Sequence, residues 1–75
     1  MEVIFTKNST GWWTVRKNKE LPCGSISDDG LFFKPSQYGG LMIDFHVVRE
    51  TALLMDRIRS EEDIEDARVI VTIEE

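Results

Sequence analysis

Apolar and polar positions follow two different periods along this chain. The first 35 residues contain short runs rich in β-branched and aromatic side chains, separated by clusters of Asn, Asp, Gly and Pro. This pattern is typical of strands joined by tight turns. Pro22 and Gly24 make the third run the weakest and favour an edge position or a bulge there. Asp28-Asp29-Gly30 predicts a hairpin turn, because glycine adopts positive φ freely. The predicted strands of this antiparallel meander are 3–6, 12–16, 21–27 and 31–33.

The apolar spacing changes to a helical period in the second half of the chain. Neither Gly nor Pro interrupts the sequence from Val47 to Arg59, and residues 42–48 fit either a strand or the start of the same helix. Ser60-Glu61-Glu62-Asp63 resembles a capping box, which predicts a short extra helical turn over 61–66. A helix over 47–59 would collect its apolar side chains on one face. These are Val47, Val48, Thr51, Leu54, Met55 and Ile58.

The segment from Arg68 to Ile73 predicts a last strand that is apolar on both faces. Such strands are usually central in a sheet or covered by a helix, so we expect this one to return beside an earlier strand. The fold prediction is a single α+β domain over residues 1–75. It consists of an antiparallel sheet of four or five strands with one main helix packed on one face. The sheet residues expected in the core are Ile4, one of Trp12 and Trp13, Val15, Ile26, one of Phe32 and Phe33, Val69, Val71 and Ile73.

Length and composition fit one small globular domain. The chain has 75 residues, of which 41% are hydrophobic and 31% are charged, which is too apolar for a disordered segment. No apolar run reaches the roughly 18 residues that cross a bilayer, and the N-terminus lacks the pattern of a secretory signal. The single cysteine, Cys23, cannot form an internal disulfide, whereas small secreted domains usually carry several. We therefore expect a cytoplasmic protein that does not contact a membrane.

The sequence offers little material for catalysis or for binding a cofactor. Cys23 and His46 are the only cysteine and histidine, which is too few for a four-ligand zinc site. Phosphate-binding and dinucleotide-binding glycine motifs are absent. Asp63 and Glu65 lie in an acidic run, but the glycine of a regular calcium loop is missing. We therefore predict a protein that is not an enzyme and uses neither a cofactor nor a metal ion.

Charge is distributed unevenly between the two halves of the chain. Residues 1–40 contain five basic and four acidic side chains, a net charge of +1, whereas residues 41–75 contain four basic and ten acidic ones, a net charge of −6. Such an asymmetry is informative about partners. The densest acidic run, from Ser60 to Asp66, is either a solvated loop or a docking surface for a basic site on another protein.

Two apolar features do not fit a simple core. Trp12 and Trp13 are adjacent, so on a strand they point to opposite faces and only one of them can contact the helix. The other is either covered by neighbouring side chains or forms part of a contact surface, because tryptophan is enriched at binding hot spots. Leu53 lies opposite the apolar face of the helix, between Arg49 and Arg57, and we interpret it as a partner contact.

These observations favour a small acidic module that binds another protein. An inhibitor or adaptor encoded by a bacteriophage or mobile element is one such protein, and it would occupy a surface of a host protein in the host cytoplasm. The predicted partner-binding residues are Trp12, Trp13, Leu53, Glu61, Glu62, Asp63, Glu65 and Asp66.

Two other functions remain open. The first is nucleic-acid binding by an aromatic and basic sheet face, although a net charge of −5 opposes contact with phosphates. Its residues would be Arg16, Lys17, Lys19 and Lys34. The second is a self-associating structural subunit, a homo-oligomer held by a tryptophan or by an exposed edge strand.

Overall fold

A computed structural model of the chain describes residues 1–37, 43–62 and 64–74. Five strands form one sheet in the order β4-β3-β2-β1-β5, and each neighbouring pair is antiparallel. One helix follows the fourth strand, and the C-terminal strand returns to the sheet beside β1. The predicted α+β fold is therefore confirmed. The elements are β1 (Glu2–Lys7), β2 (Trp13–Lys17), β3 (Pro22–Ile26), β4 (Phe33–Pro35), α1 (Phe45–Arg59) and β5 (Arg68–Thr72).

The third and fourth strands differ from their predicted positions. β3 pairs with both β2 and β4, so it is not an edge strand, but the predicted irregularity is present as a register shift between Val15 and Arg16. β4 begins at Phe33, two residues later than predicted. The reason lies in Ser27, whose N–H donates to the Phe32 carbonyl (2.9 Å) and whose hydroxyl accepts from the Phe32 N–H (3.0 Å). These bonds close a turn over 27–32 before the ladder resumes.

Asp44 determines where the helix begins. Its Oδ1 accepts a hydrogen bond from the Val47 N–H at 3.0 Å, which makes Asp44 the N-cap. Its Oδ2 lies 2.7 Å from Nζ of Lys17 at the end of β2. Residues 45–48 consequently belong to the helix and not to a strand, the two possibilities that the sequence leaves open for them. Residue 42, which belongs to the same ambiguous segment, lies outside the described residues.

The helix ends at a left-handed residue, so the predicted extra turn over 61–66 is wrong for the residues of that range that the structure describes. Glu61 has φ of 56°. The Glu61 N–H donates to the Ile58 carbonyl at 3.1 Å, and the Glu62 N–H donates to the Arg57 carbonyl at 3.1 Å. This pair of bonds is a Schellman motif, which satisfies the last carbonyls and turns the chain out of the helical path.

The core lies between α1 and one face of the sheet. Of the predicted helix face, Val48 is exposed (55%), and its assignment to the core is wrong. Phe33 is half-buried whereas Phe32 is exposed. Ile4 is buried as expected, but it points away from the helix, because side chains alternate along a strand and its neighbours belong to the core. The buried cluster consists of Val3, Phe5, Trp13, Val15, Cys23, Ile26, Val47, Leu54 and Ile73.

Gly30, in the turn between β3 and β4, holds the C-terminal half of the helix in place. Its φ is +75°, and a Cβ at this position would lie 2.8 Å from the Met55 carbonyl oxygen and 3.0 Å from the Ile58 Cβ. The Gly30 carbonyl accepts a hydrogen bond from Nη1 of Arg59 at 2.8 Å. The end of α1 is therefore fixed against the β3–β4 turn, on the side of the sheet away from β5.

Candidate functional site

The free edge of β5 is the first part of the candidate site. Met1 and Ile73 exchange both backbone hydrogen bonds, at 3.1 and 2.8 Å, and the Lys7 N–H donates to the Ala67 carbonyl at 2.7 Å. Hydrogen-bonded pairs alternate along an antiparallel ladder, so the odd-numbered residues of β5 bond to β1. The N–H and C=O groups of the even-numbered residues point away from β1, where the described part of the chain supplies no strand. These residues are Arg68, Ile70 and Thr72.

The two edges of the sheet differ in how they are protected. The β4 edge is three residues long and contains Lys34 and Pro35. Short length, lysine and proline are the usual means of preventing an edge from pairing with another chain. β5 is five residues long, contains neither proline nor glycine, and keeps an unbroken register with β1. The β5 edge is therefore the one that is open to a further strand.

An apolar groove of about 820 Å³ runs between α1 and β5 and forms the second part of the site. Phe5, Val69 and Val71 form its floor, and Leu53 and Leu54 lie on its helical wall. Val69 and Val71 are only half-buried, since the helix is fixed toward the β3–β4 turn. A strand added to β5 would place every second side chain over this groove. The remaining residues that line the groove are charged or polar: Glu50, Asp56, Arg57, Arg59, Ser60 and Glu62.

Carboxylates flank the free edge at both ends. Glu65 and Asp66 are exposed immediately before β5, and Glu74 is exposed after it. The two arginines of the groove are already paired: Arg57 Nε lies 3.3 Å from Glu62, and Arg59 bonds to Asp56. The charges around the edge that have no ion pair among the described residues are therefore these three carboxylates and the exposed Arg68, which leaves the edge acidic in sum.

The structure brings together some of the predicted partner-binding residues and separates others. Leu53 is 52% exposed, which confirms its predicted exposure, and it lines the groove with Glu62. Glu65 and Asp66 lie beside the start of β5. Glu61 faces a different depression, which it shares with Lys7 and Asp28. Asp63 lies outside the described residues.

The tryptophans lie elsewhere. Trp13 is 3% exposed and belongs to the core, so its proposed contact with a partner is wrong. Trp12 is half-buried in the loop before β2, where its backbone N–H donates to Thr10 Oγ1 at 3.4 Å. It does not line the groove.

The basic residues of the nucleic-acid hypothesis do not share a surface with the buried aromatic side chains of the sheet. Trp13, like Phe5, packs in the core on the helical side of the sheet, whereas the alternation along β2 places Arg16 on the opposite face. Lys17 pairs with Asp44 at 2.7 Å, and Arg16 donates to the Glu20 carbonyl at 3.0 Å. Lys19 and Lys34 are exposed. The half-buried Trp12 and the exposed Phe32 lie outside this core, so nucleic-acid binding through an aromatic and basic face stays a prediction.

The single cysteine is poorly suited to nucleophilic chemistry. Cys23 is fully buried within the core cluster, and burial raises the pKa of its thiol. The protonated thiol is a weak nucleophile. No group of three potential metal ligands occurs among residues 1–37, 43–62 and 64–74. In the same residues, no helix has the length and apolar character that crossing a bilayer requires.

The sequence pattern misses the most important residues of this site. The pattern predicts Val69 and Val71 in the core, because a strand that is apolar on both faces is usually central or covered by a helix. The same pattern is the signal that could have indicated the site, because a strand that is apolar on both faces and lies at an edge has no neighbouring strand on one side.

No protein-family model matches the sequence, and neither a curated protein nor a solved structure matches it. The function must therefore be argued from this site itself.

Proposed function

We propose that this protein is a protein-binding module that receives an extended segment of another protein as a sixth strand beside β5. The observation that carries the proposal is the juxtaposition of an unprotected strand edge with an apolar groove. Strand addition is a common mode of peptide recognition, in which main-chain hydrogen bonds give affinity and pockets for alternate side chains give specificity.

Both parts of the site are needed to bind a partner. Three N–H and three C=O groups on the free edge offer six hydrogen bonds, worth together about 3–9 kcal/mol at the usual net value of each. Two aliphatic side chains buried in the groove add about 3–6 kcal/mol. Association costs about 4–15 kcal/mol, so the edge alone is a weak site and the groove decides the affinity.

Such a module acts by occupying a surface and needs no catalytic group. An inhibitor or adaptor carried by a bacteriophage or another mobile element would work in this way in the cytoplasm of its host. The small size and the acidic second half of the chain, with a net charge of −6 over residues 41–75, fit that proposal.

The test uses Ile70, whose backbone N–H points away from β1. I70P removes a donor from the free edge and leaves the β1 ladder intact, since proline is tolerated on edge strands. I70T is the matched control, because threonine keeps the N–H and favours a strand. Tagged wild type and both variants are used to capture partners from host lysate after cross-linking, and circular dichroism verifies that each variant folds.

A supporting result has three parts. One protein is captured by wild type and I70T, it is lost with I70P, and its cross-links map to β5 or the groove. Capture of the same protein by I70P at the wild-type level would contradict strand addition. Sedimentation velocity at two concentrations tests self-association, the alternative function of the edge. A dimer that forms in wild type and is abolished by I70P would assign the edge to self-association.

A further inference from the structure

We infer that the segment bound beside β5 is basic at both ends and apolar at alternating positions in its centre. This inference rests on the proposed function, since it names the chemistry of the strand that the same edge would receive.

The acidic residues that flank the free edge of β5 predict basic residues at the two ends of the bound segment. Glu65 and Asp66 precede the edge and Glu74 follows it, and all three are exposed. A strand laid along Arg68, Ile70 and Thr72 would place its own flanking residues opposite these carboxylates. Because both ends of the edge are acidic, the expectation holds for either strand direction. Opposite charges on neighbouring strands stabilise their pairing, and like charges destabilise it.

The apolar floor of the groove predicts alternating apolar residues in the centre of the bound segment. The side chains of Val69 and Val71 stand on the groove side of β5, next to Leu53 on the helix. Every second residue of an added strand would point to the same side, where apolar side chains would cover this floor. Its other residues would lie on the outer face beside Ile70 and Arg68, both exposed. Those positions therefore accept polar or acidic side chains.

A second copy of this chain fits the site less well. Antiparallel pairing of two β5 edges about a two-fold axis places both helices on the same face of the joined sheet. The Val69 and Val71 side chains of each copy would then lie beside the groove of the other, so the case against this pairing rests on charge. The pairing would bring together two halves that each carry a net charge of −6.

The inference is tested with synthetic peptides that share one core of alternating Val and Thr. One peptide has two lysines at each end, and a second has two glutamates at each end. A third keeps the lysines but carries N-methyl groups on every core amide, which blocks ladder formation along both edges of the peptide without changing its charge. Binding to the full chain is measured by fluorescence anisotropy at low and high salt, and the lysine peptide is also titrated against I70P, I70T and E65K/D66K.

The lysine peptide should bind wild type about tenfold or more tighter than the glutamate peptide, as expected for several exposed ion pairs acting together. Salt and E65K/D66K should reduce this preference, whereas I70P and N-methylation should abolish binding. Equal binding of both flanked peptides, each lost with I70P, would overturn the basic partner and leave strand addition standing. Binding that neither I70P nor N-methylation changes would overturn both, because it would reflect charge alone. Failure of the lysine peptide to bind would overturn the inferred segment with basic ends and an alternating apolar centre. The capture of cross-linked partners with wild type, I70P and I70T would then test strand addition separately.

Discussion

Gly30 controls the position of the helix, and hence the groove, so its replacement tests the structural basis of the site. G30A places a Cβ 2.8 Å from the Met55 carbonyl oxygen and 3.0 Å from the Ile58 Cβ, at a φ of +75°. G11A is the matched control. Gly11 also has a positive φ, of +90°, but its Cβ would meet only the Asp28 Cβ, at an ordinary 3.4 Å.

The two variants should differ in stability by the cost of the close approach. A left-handed conformation costs an L-residue about 1–2 kcal/mol, and both variants incur this term. Overpacking against the helix adds about 1–3 kcal/mol in G30A alone. The expected losses are therefore about 1–2 kcal/mol for G11A and about 2–5 kcal/mol for G30A. A domain of this length has a free energy of unfolding of about 4–11 kcal/mol, so G30A should lose a large share of it.

Urea unfolding followed by tryptophan fluorescence measures both losses, because Trp13 is in the core and becomes exposed on unfolding. The slope of the unfolding free energy against urea should stay unchanged, which would show that only stability differs. Equal losses for G30A and G11A would refute the close packing of α1 against the β3–β4 turn, and with it the explanation of the groove.

Substitutions at three further positions probe the helix. E61G should raise the free energy of unfolding by about 1 kcal/mol, because glycine has no penalty at the left-handed position of the Schellman motif. T51V should leave stability unchanged or raise it by about 1 kcal/mol, since the buried Thr51 hydroxyl has no hydrogen-bond partner within the described part of the chain and valine has a similar shape. D44A should lose about 0.5–2 kcal/mol with the N-cap, whereas D44N keeps the cap and loses only the charge. The hydrogen bond from Lys17 and that from the Val47 N–H lower the pKa of Asp44. The stability due to its charge is therefore complete above the unfolded pKa of about 3.9, and it disappears as the pH falls through the lower folded value.

Urea titrations at neutral and acidic pH check these expectations. Destabilisation by E61G would contradict the left-handed helix end, and a loss of several kcal/mol in T51V would show that the hydroxyl has a partner. An acid dependence in D44N as steep as that of wild type would contradict the role of Asp44 in the pH response.

Local signals in the sequence were sufficient for most of the fold. The β-branched and aromatic run at 3–6, the alternation in the last strand and the uninterrupted helical period after Val47 place β1, β5 and α1 within about two residues of their observed bounds. β4 was misplaced because Ser27 closes its turn through its own hydroxyl, which a strand pattern does not reveal. Glu61 misled the capping prediction, since a left-handed glutamate has no sequence signature comparable to glycine.

The site was less predictable, because it depends on the order of strands. Leu53 stood out as an exposed leucine from helical spacing alone. The open floor formed by Val69 and Val71 exists only because β5 is at the edge and Gly30 fixes the helix on the other side. The edge position of β5 and the contact of Gly30 with the helix both depend on residues that are distant in sequence. The apolar period of a single segment does not predict such contacts.

Amide hydrogen exchange along β5, followed by NMR, tests the central claim most directly. In the isolated protein, the amides of Val69 and Val71 should be protected by β1, whereas those of Arg68, Ile70 and Thr72 should exchange rapidly. Adding the lysine-flanked peptide, or a captured partner whose binding is lost with I70P, should protect these three amides. Uniform protection of β5 in the isolated protein, or three amides that still exchange rapidly in the complex, would contradict the account.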